Sequence, residues 1–157
     1  MAPTTPTAKT WILTGSAENF RINVERGFDL IGLKERRRGM AEQIEPGDRI
    51  VFYVTGLQAF GGIVRVTSEL FEDRERIWPG KPGNADAYPW RFETEPDVVL
   101  DEDDFVPAVE LAGELEHVAK WPLEHWQLAF QGQLRTVSDA DRELLERRIR
   151  QAAPTAA

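Results

Sequence analysis

The densest apolar patterning in the chain lies in two neighbouring runs. Arg49 to Thr55 (RIVFYVT) is too apolar to alternate and reads as a strand covered on both faces or curled into a barrel. Pro46 and Gly47 set a turn before it, and Gly56 breaks it. A second β-branched run covers Phe60 to Leu70. Gly61 and Gly62 open that run and predict a bulge or a close backbone approach. Ile44 to Leu70 therefore predicts the two central strands of a small, strongly bent sheet.

Shorter patterns fill the rest. Thr10 to Thr14 predicts a first strand. Ser16 can cap a helix that carries Glu18 in its first turn, puts Phe20 and Val24 on one face, and stops at Gly27. Phe28 to Leu33 reads as extended, and Met40 to Ile44 as one helical turn. Residues 71–88 form a polar loop that includes Pro79-Gly80-Lys81-Pro82-Gly83-Asn84, long enough to suggest a function. Trp90 to Leu100 returns to strand character, and Asp101 to Asp104 is a turn. Phe105 to Ala119 suggests a short helix and then an irregular segment. His125 to Phe130 is read as the last strand, followed by a turn at Gln131-Gly132-Gln133. The final helix is the best defined: Ser138 caps it, Asp139 and Asp141 begin it, Arg147, Arg148 and Arg150 end it, and Leu144, Leu145 and Ile149 form its stripe. Val137 fits a staple position.

The 157 residues suit one domain over 10–151, with residues 1–9 and 152–157 expected to be disordered. No run approaches the about 20 apolar residues of a membrane span, and the N-terminus lacks the apolar segment of a secretory leader. With no cysteine there is no disulfide framework, thiol nucleophile or thiolate metal site, and a cytoplasmic location is the default expectation. The net charge of −8 argues against a general nucleic-acid coat, yet it is unevenly spread. Residues 1–67 hold nine Lys/Arg and seven Asp/Glu; residues 68–157 hold ten against twenty. Lys34-Glu35-Arg36-Arg37-Arg38 is a compact basic cluster, either a solvated loop or a local phosphate contact.

No catalytic motif, cofactor signature or metal set stands out. His117 and His125 have no carboxylate at ligand spacing. Four consecutive acids, Asp101 to Asp104, cannot all face one cation. Gly80 to Gly83 lacks the ending of a phosphate loop, and Ser16 and Ser138 read as caps. The aromatic inventory is richer: five Trp, two Tyr and eight Phe. Trp11, Phe52, Phe92 and Phe130 suit the core. Others are free to line a slot for a planar ligand, since an extruded base is read by stacking plus hydrogen bonds to its edge.

Six segments, in order, resemble the EVE domain family: TWILTGSAEN, IGLKERRR, PGDRIVFYV, FGGIVRVTSE, AYPWRF and EHWQLAFQGQLRTVSDADRELLERRI. These domains belong to the PUA-like superfamily and are related to YTH domains. Members are commonly small stand-alone bacterial or archaeal proteins without catalytic activity. The resemblance implies an α+β fold: a mixed β pseudo-barrel of five or six strands flanked by helices. It also implies a pocket for a modified base, typically a 5-substituted cytosine in DNA. Carried onto this chain, Tyr53 and Trp126 hold the base, and Ser16, Asn19 and Arg91 read its edge or orient the cage. Trp11, Phe28, Ile31, Gly32, Leu33 and Trp90 complete the site, and Lys34, Arg36, Arg37 and Arg38 contact phosphates. Relatives often place Trp where this chain has Ile31, so Phe28, Trp90 or Trp126 is expected to supply the missing aromatic face, or the ligand differs. The expected partner is DNA or RNA carrying a modified base, with no membrane and no cofactor. Two other classes remain: an enzyme using the same pocket, with Arg91 and Glu93 as its only candidate pair, and a protein-interaction module using the acidic half.

Overall fold

A computed structural model describes residues 8–79, 83, 85–130 and 132–153. The readings placed on residues 1–7, 80–82, 84, 131 and 154–157 lie outside the described residues. The chain forms a mixed, curled sheet with helices around it. Its main path runs β2 (Leu30–Leu33), β6 (Trp90–Val99), β4 (Ala59–Val66), β3 (Arg49–Val54), β1 (Thr10–Gly15) and β8 (Leu134–Val137). Two short strands join from the side, β5 (Phe71–Glu72) on β6 and β7 (Val106–Pro107) on β4. Among the described residues, only β1 and β3 pair in parallel, and every other ladder is antiparallel.

The central pair bends at its glycines. Phe52 pairs Gly62 but Tyr53 pairs Phe60, so Gly61 is the extra residue of a bulge. A Cβ on Gly61 would stand 2.8 Å from the Phe20 ring, and one on Gly62 2.8 Å from Val98 O. The same two glycines therefore supply both the bulge and the close approach. A second register shift, between Ile63 and Val64, falls opposite Pro96. Proline has no N–H to give a ladder, and here it sits on β6 beyond the stretch paired with β2.

Among the described residues, the path does not close through strand pairing. Its two edge strands, β2 and β8, are joined by a side chain instead. Gln133, just before β8, accepts from Lys34 N through Oε1 at 2.8 Å, and its carbonyl accepts from Thr14 N at 2.8 Å. Around this curl lies one aromatic-rich core. Phe20 packs edge-on against Phe28, Phe52 and Phe105, with ring centroids 5.0 to 5.8 Å apart. Buried carboxylates tie in the ends. Asp48 accepts from Lys9 N, Glu45 N and Trp11 Nε1, and Asp141 accepts from Glu116 N and His117 N.

Several local expectations change. In α1 (Ala17–Glu25), Ser16 is the cap, but Val24 is 51% exposed and Asn23 is buried in its place, because the Asn23 amide accepts a hydrogen bond from Trp78. The basic cluster is not an open loop: Glu35–Arg37 is one 3-10 turn leading into α2 (Arg38–Ala41), which begins two residues before the helical turn expected at Met40 to Ile44 and passes into turn hydrogen bonds from Gln43 N to Met40 O and from Ile44 N to Ala41 O. The second central strand ends at Val66 rather than Leu70. The segment Phe105 to Ala119 holds β7 and 3-10 turns but no α-helix. Leu123–Phe130 is a kinked 3-10 segment, not a strand. Its buried side chains, Trp126, Ala129 and Phe130, fall at helical spacing. The last strand is β8, whose exposed Arg135 and Thr136 conceal it in the sequence. Helix α3 (Asp139–Ala152) carries the expected cap and stripe and runs one residue past the expected domain end.

Candidate functional site

A cavity of about 790 Å3 opens at the unclosed side of the barrel. Its walls come from the C-terminal ends of β1 and β3, the first two turns of α1, the β2 strand, Trp78 and Tyr88, and Gln127, Phe130 and Gln133. The volume lies within the about 300–1,000 Å3 usual for small-ligand sites. Buried residues form the floor and sides, among them Phe20, Ile31, Phe52, Tyr53, Trp78, Tyr88 and Phe130. Exposed lining residues mark the mouth: Arg36, Thr55, Gln58, Gln127 and Gly132.

One aromatic wall is built from the long loop between β5 and β6. Trp78 Nε1 donates to Asn23 Oδ1 at 2.8 Å, and its ring meets Tyr88 edge-on at 6.1 Å. The Trp78 ring and the Tyr88 carbonyl and Cβ lie against Gly32. A Cβ there would come within contact distance of Trp78 Cζ3 and 2.9 Å from Tyr88 O. Only glycine allows the wall to approach β2 this closely. Arg91 fixes the same wall from behind. Its guanidinium is fully buried, donates to Tyr88 O and Ala87 O at 3.1 Å each and also to Glu75 O, and lies 5.3 Å from the Trp78 ring. Asp73 Oδ2 is 3.4 Å from its Nη1. Burial pushes the Arg91 pKa down, and Asp73 and then Glu75 act in the opposite direction.

A second aromatic wall is Tyr53, stacked on Phe130 with centroids 4.5 Å apart and planes 9° apart. Phe130 is held edge-on by Phe60, His117 and Trp126. Burial pushes the Tyr53 phenol up to about 12. It therefore stays protonated near neutrality and can donate or accept a hydrogen bond.

Asn19 supplies the polar feature of the interior. Its backbone N–H donates to Ser16 Oγ at 3.1 Å, while its side-chain Oδ1 is buried with no hydrogen-bond partner among the described residues. A buried, unpartnered carbonyl costs about 1–3 kcal/mol unless something donates to it.

The cavity brings together Ser16, Asn19, Ile31, Gly32, Tyr53, Lys34 and Arg36 from the residues singled out in the sequence. Arg37 stands beside the mouth, with Nη2 3.4 Å from where a Cβ of Gly132 would be, and its Nε is buried without a partner among the described residues. Arg38 is elsewhere, paired with Glu42 at 3.2 Å and lying 5.2 Å from the Trp90 ring. The other expected site residues do not line the cavity. Trp11 donates to Asp48 Oδ2 at 3.0 Å, and Trp90 to Glu35 O at 2.8 Å. Phe28 packs with Phe20 and Phe52. Leu33 is core, and Trp126 abuts Phe130. None of the three side chains expected to replace the aromatic face at Ile31 lines the cavity; Trp78 and Tyr88 do. The proposed Arg91–Glu93 pair does not form either, since Arg91 turns inward to Asp73 and Glu93 is exposed.

Phe20, Asn23, Phe52, Trp78, Tyr88, Gln127, Phe130 and Gln133 line the cavity without having been assigned to it from sequence. The available signal was a lone Trp in a polar loop that ends in Tyr88. Among the described residues, no helix is long and apolar enough to cross a membrane, and no group of three or more His, Cys, Asp and Glu is placed to hold a metal.

Known proteins share this framework. The UPF0310 protein PH1033 of Pyrococcus horikoshii is 24% identical over 146 residues, covering 87% of this chain and 96% of that protein. The YTH domain of Zygosaccharomyces rouxii MRB1, solved in complex with N6-methyladenosine RNA, superposes with a TM-score of 0.65 at 13% identity, covering 100% of this chain and 94% of that one. Human THYN1, solved in complex with 5-methylcytosine-containing DNA, gives 0.57 at 13% identity, covering 90% and 98%. The profile of the EVE domain matches residues 9–147, nearly the whole length, and the chain belongs to the EVE domain family.

Proposed function

We propose that this protein is a non-catalytic reader that takes a modified base of a nucleic-acid strand into the cavity, with 5-substituted cytosine in DNA the favoured ligand. The observation that carries the reading is the combination of two aromatic walls with one buried, unpartnered acceptor, Asn19 Oδ1. Aromatic faces at Tyr53, Trp78 and Tyr88 suit stacking on any base. The acceptor selects among them: the exocyclic amine of cytosine donates to it, whereas the O4 of thymine meets it as a second acceptor. Apolar lining from Leu13, Phe20 and Ile31 offers a dry environment for a 5-substituent. Lys34, Arg36 and Arg37 at the mouth suit the flanking phosphates, and among the described residues Lys34 and Arg36 have no ion-pair partner. Trp11, Phe28, Leu33, Trp90, Arg91 and Trp126 support the walls rather than touch the base.

Binding rather than turnover is favoured by the lining itself. The described residues around the cavity include no Asp, Glu or His to act as an acid–base pair, and the Tyr53 phenol holds its proton. The modified-nucleic-acid complexes of THYN1 and of the Z. rouxii YTH domain, which share this fold, lend further support. The test is a titration, at low salt, of short oligonucleotides carrying cytosine, 5-methylcytosine, 5-hydroxymethylcytosine, thymine or N6-methyladenine. The reading expects a 5-substituted cytosine to bind tightest and thymine, which shares the 5-methyl group, to bind weakest. Equal affinity for all five, or none for any, would overturn it.

A further inference from the structure

Resting on that reading, we propose that the strand is presented as duplex DNA and that Leu57 is the wedge that fills the stack when the base leaves it. Leu57 is at the tip of the four-residue turn Thr55–Gln58 joining β3 to β4, and the residue is 47% exposed. Thr55 and Gln58, on either side of it, both line the mouth of the cavity. The tip is braced from three directions. Leu57 N donates to Val54 O at 3.3 Å, Gln58 N donates to Thr55 O at 3.2 Å, and Gln58 O accepts from Ala108 N at 2.9 Å. Gln58 holds a left-handed backbone (φ 49°), unusual for a residue with a side chain and a mark of a turn shape set by its surroundings. The turn is therefore a stiff finger carrying an uncovered leucine beside an aromatic cavity. Lys34, Arg36 and Arg37, also at the mouth, supply the positive charge that a phosphate backbone needs in an otherwise acidic protein.

The chemistry of the partner follows from that arrangement. A base can enter a cavity with buried walls only by leaving its neighbours, which costs a few kcal/mol of stacking and pairing in a duplex and far less in a single strand. Proteins that open a duplex commonly place an apolar side chain such as Leu between base steps to offset that loss. An exposed leucine at the cavity mouth has no use against a free nucleoside and little against a single strand. It is useful where a stacked gap must be filled.

The experiment compares Leu57→Ala and Leu57→Ser with the unaltered chain on three ligands: 5-methyl-2′-deoxycytidine, a single-stranded oligonucleotide carrying one 5-methylcytosine, and the same strand in duplex. Thermal melts confirm that the exposed substitutions leave the fold intact. The expected result is a loss of about tenfold or more in duplex affinity with nucleoside and single-strand affinities within about twofold. A 2-aminopurine beside the modified base should brighten on binding to the unaltered protein. Duplex binding unchanged by either substitution would overturn the wedge. So would equal losses on all three ligands, or a shift in oligomeric state, which would assign Leu57 to a protein contact. Binding of the single strand but not the duplex would also overturn it while leaving the reader proposal standing. Failure of all three ligands with the unaltered chain would overturn both.

Discussion

Replacing Gly32 by Ala perturbs the aromatic wall without removing any of its parts. The added methyl would lie 2.9 Å from Tyr88 O and 3.0 Å from Tyr88 Cβ, and closer still to Trp78 Cζ3. Carbon atoms at rest stand about 3.5–4.0 Å apart, so the Trp78 ring has to retreat. Its Nε1 is committed to Asn23 and its face to Arg91, while Tyr88 O is held by Arg91 Nε. Overpacking of this kind costs about 1–3 kcal/mol, and losing the Trp78–Asn23 hydrogen bond adds about 0.5–1.5. The expected destabilisation is therefore about 2–4 kcal/mol, a large share of the about 5–15 kcal/mol of a typical domain. Urea unfolding followed by tryptophan fluorescence measures it. Because the tightest contact is with Trp78, the same change made on a Trp78→Ala background should cost at least about 1 kcal/mol less. Gly32→Ala within about 0.5 kcal/mol of the parent, or strict additivity of the two changes, would refute the tight wall.

Three other outcomes follow from the site and its support. Trp78→Ala and Tyr53→Ala should each weaken the best oligonucleotide by about 1–3 kcal/mol, as loss of one stacking surface does; retention of full affinity in a titration of both variants would remove them from the site. Arg36→Ala should weaken binding of every sequence alike and lower the slope of log affinity against log salt by about one contact, read from titrations at several salt concentrations; an unchanged slope would place Arg36 away from phosphate. Burial holds the His117 imidazole below its ordinary 6.5, ahead of the Ala129 carbonyl that raises it and of Lys120 and Arg135 that lower it. The unfolded chain therefore takes that proton first, so this part of the stability is present above 6.5 and is lost as pH falls below it. His117→Gln should unfold with a flatter pH dependence between neutrality and about pH 5, and parallel curves would contradict this.

The central sheet was legible because its signals are local. The Pro46-Gly47 turn, the dense strand and the two bulge glycines each follow from the conformational limits of a few adjacent residues, and the ordered resemblance supplied the rest of the architecture. The helix caps at Ser16 and Ser138 were readable for the same reason. Errors arose where period and burial compete. Trp126, Ala129 and Phe130 look like a strand when counted as an apolar run, but their spacing is that of a 3-10 turn folding over Phe60 and Tyr53. Leu134 to Val137 has one deeply buried side chain and reads as a connection until β1 is seen beside it.

The cavity was less legible because its walls are tertiary. Trp78 lies 46 residues after Gly32 in a polar stretch, and nothing local indicates that it packs on that glycine. Arg91 was prominent in the sequence, yet its role depends on carbonyls at residues 75, 87 and 88 that only the folded loop presents. Ile31 lines the cavity itself, while the aromatic side chains Trp78 and Tyr88 that line it come from a segment distant in the sequence.

The central claim, that this cavity holds a modified base, is tested most directly by a crystal structure of the protein with the oligonucleotide that binds it tightest. The account predicts the modified base inside the cavity, faced by the Trp78–Tyr88 wall, with its exocyclic amine donating to Asn19 Oδ1 and a flanking phosphate beside Lys34 or Arg36. A strand bound on another surface with the cavity unoccupied, or a base whose amine points away from Asn19, would contradict it.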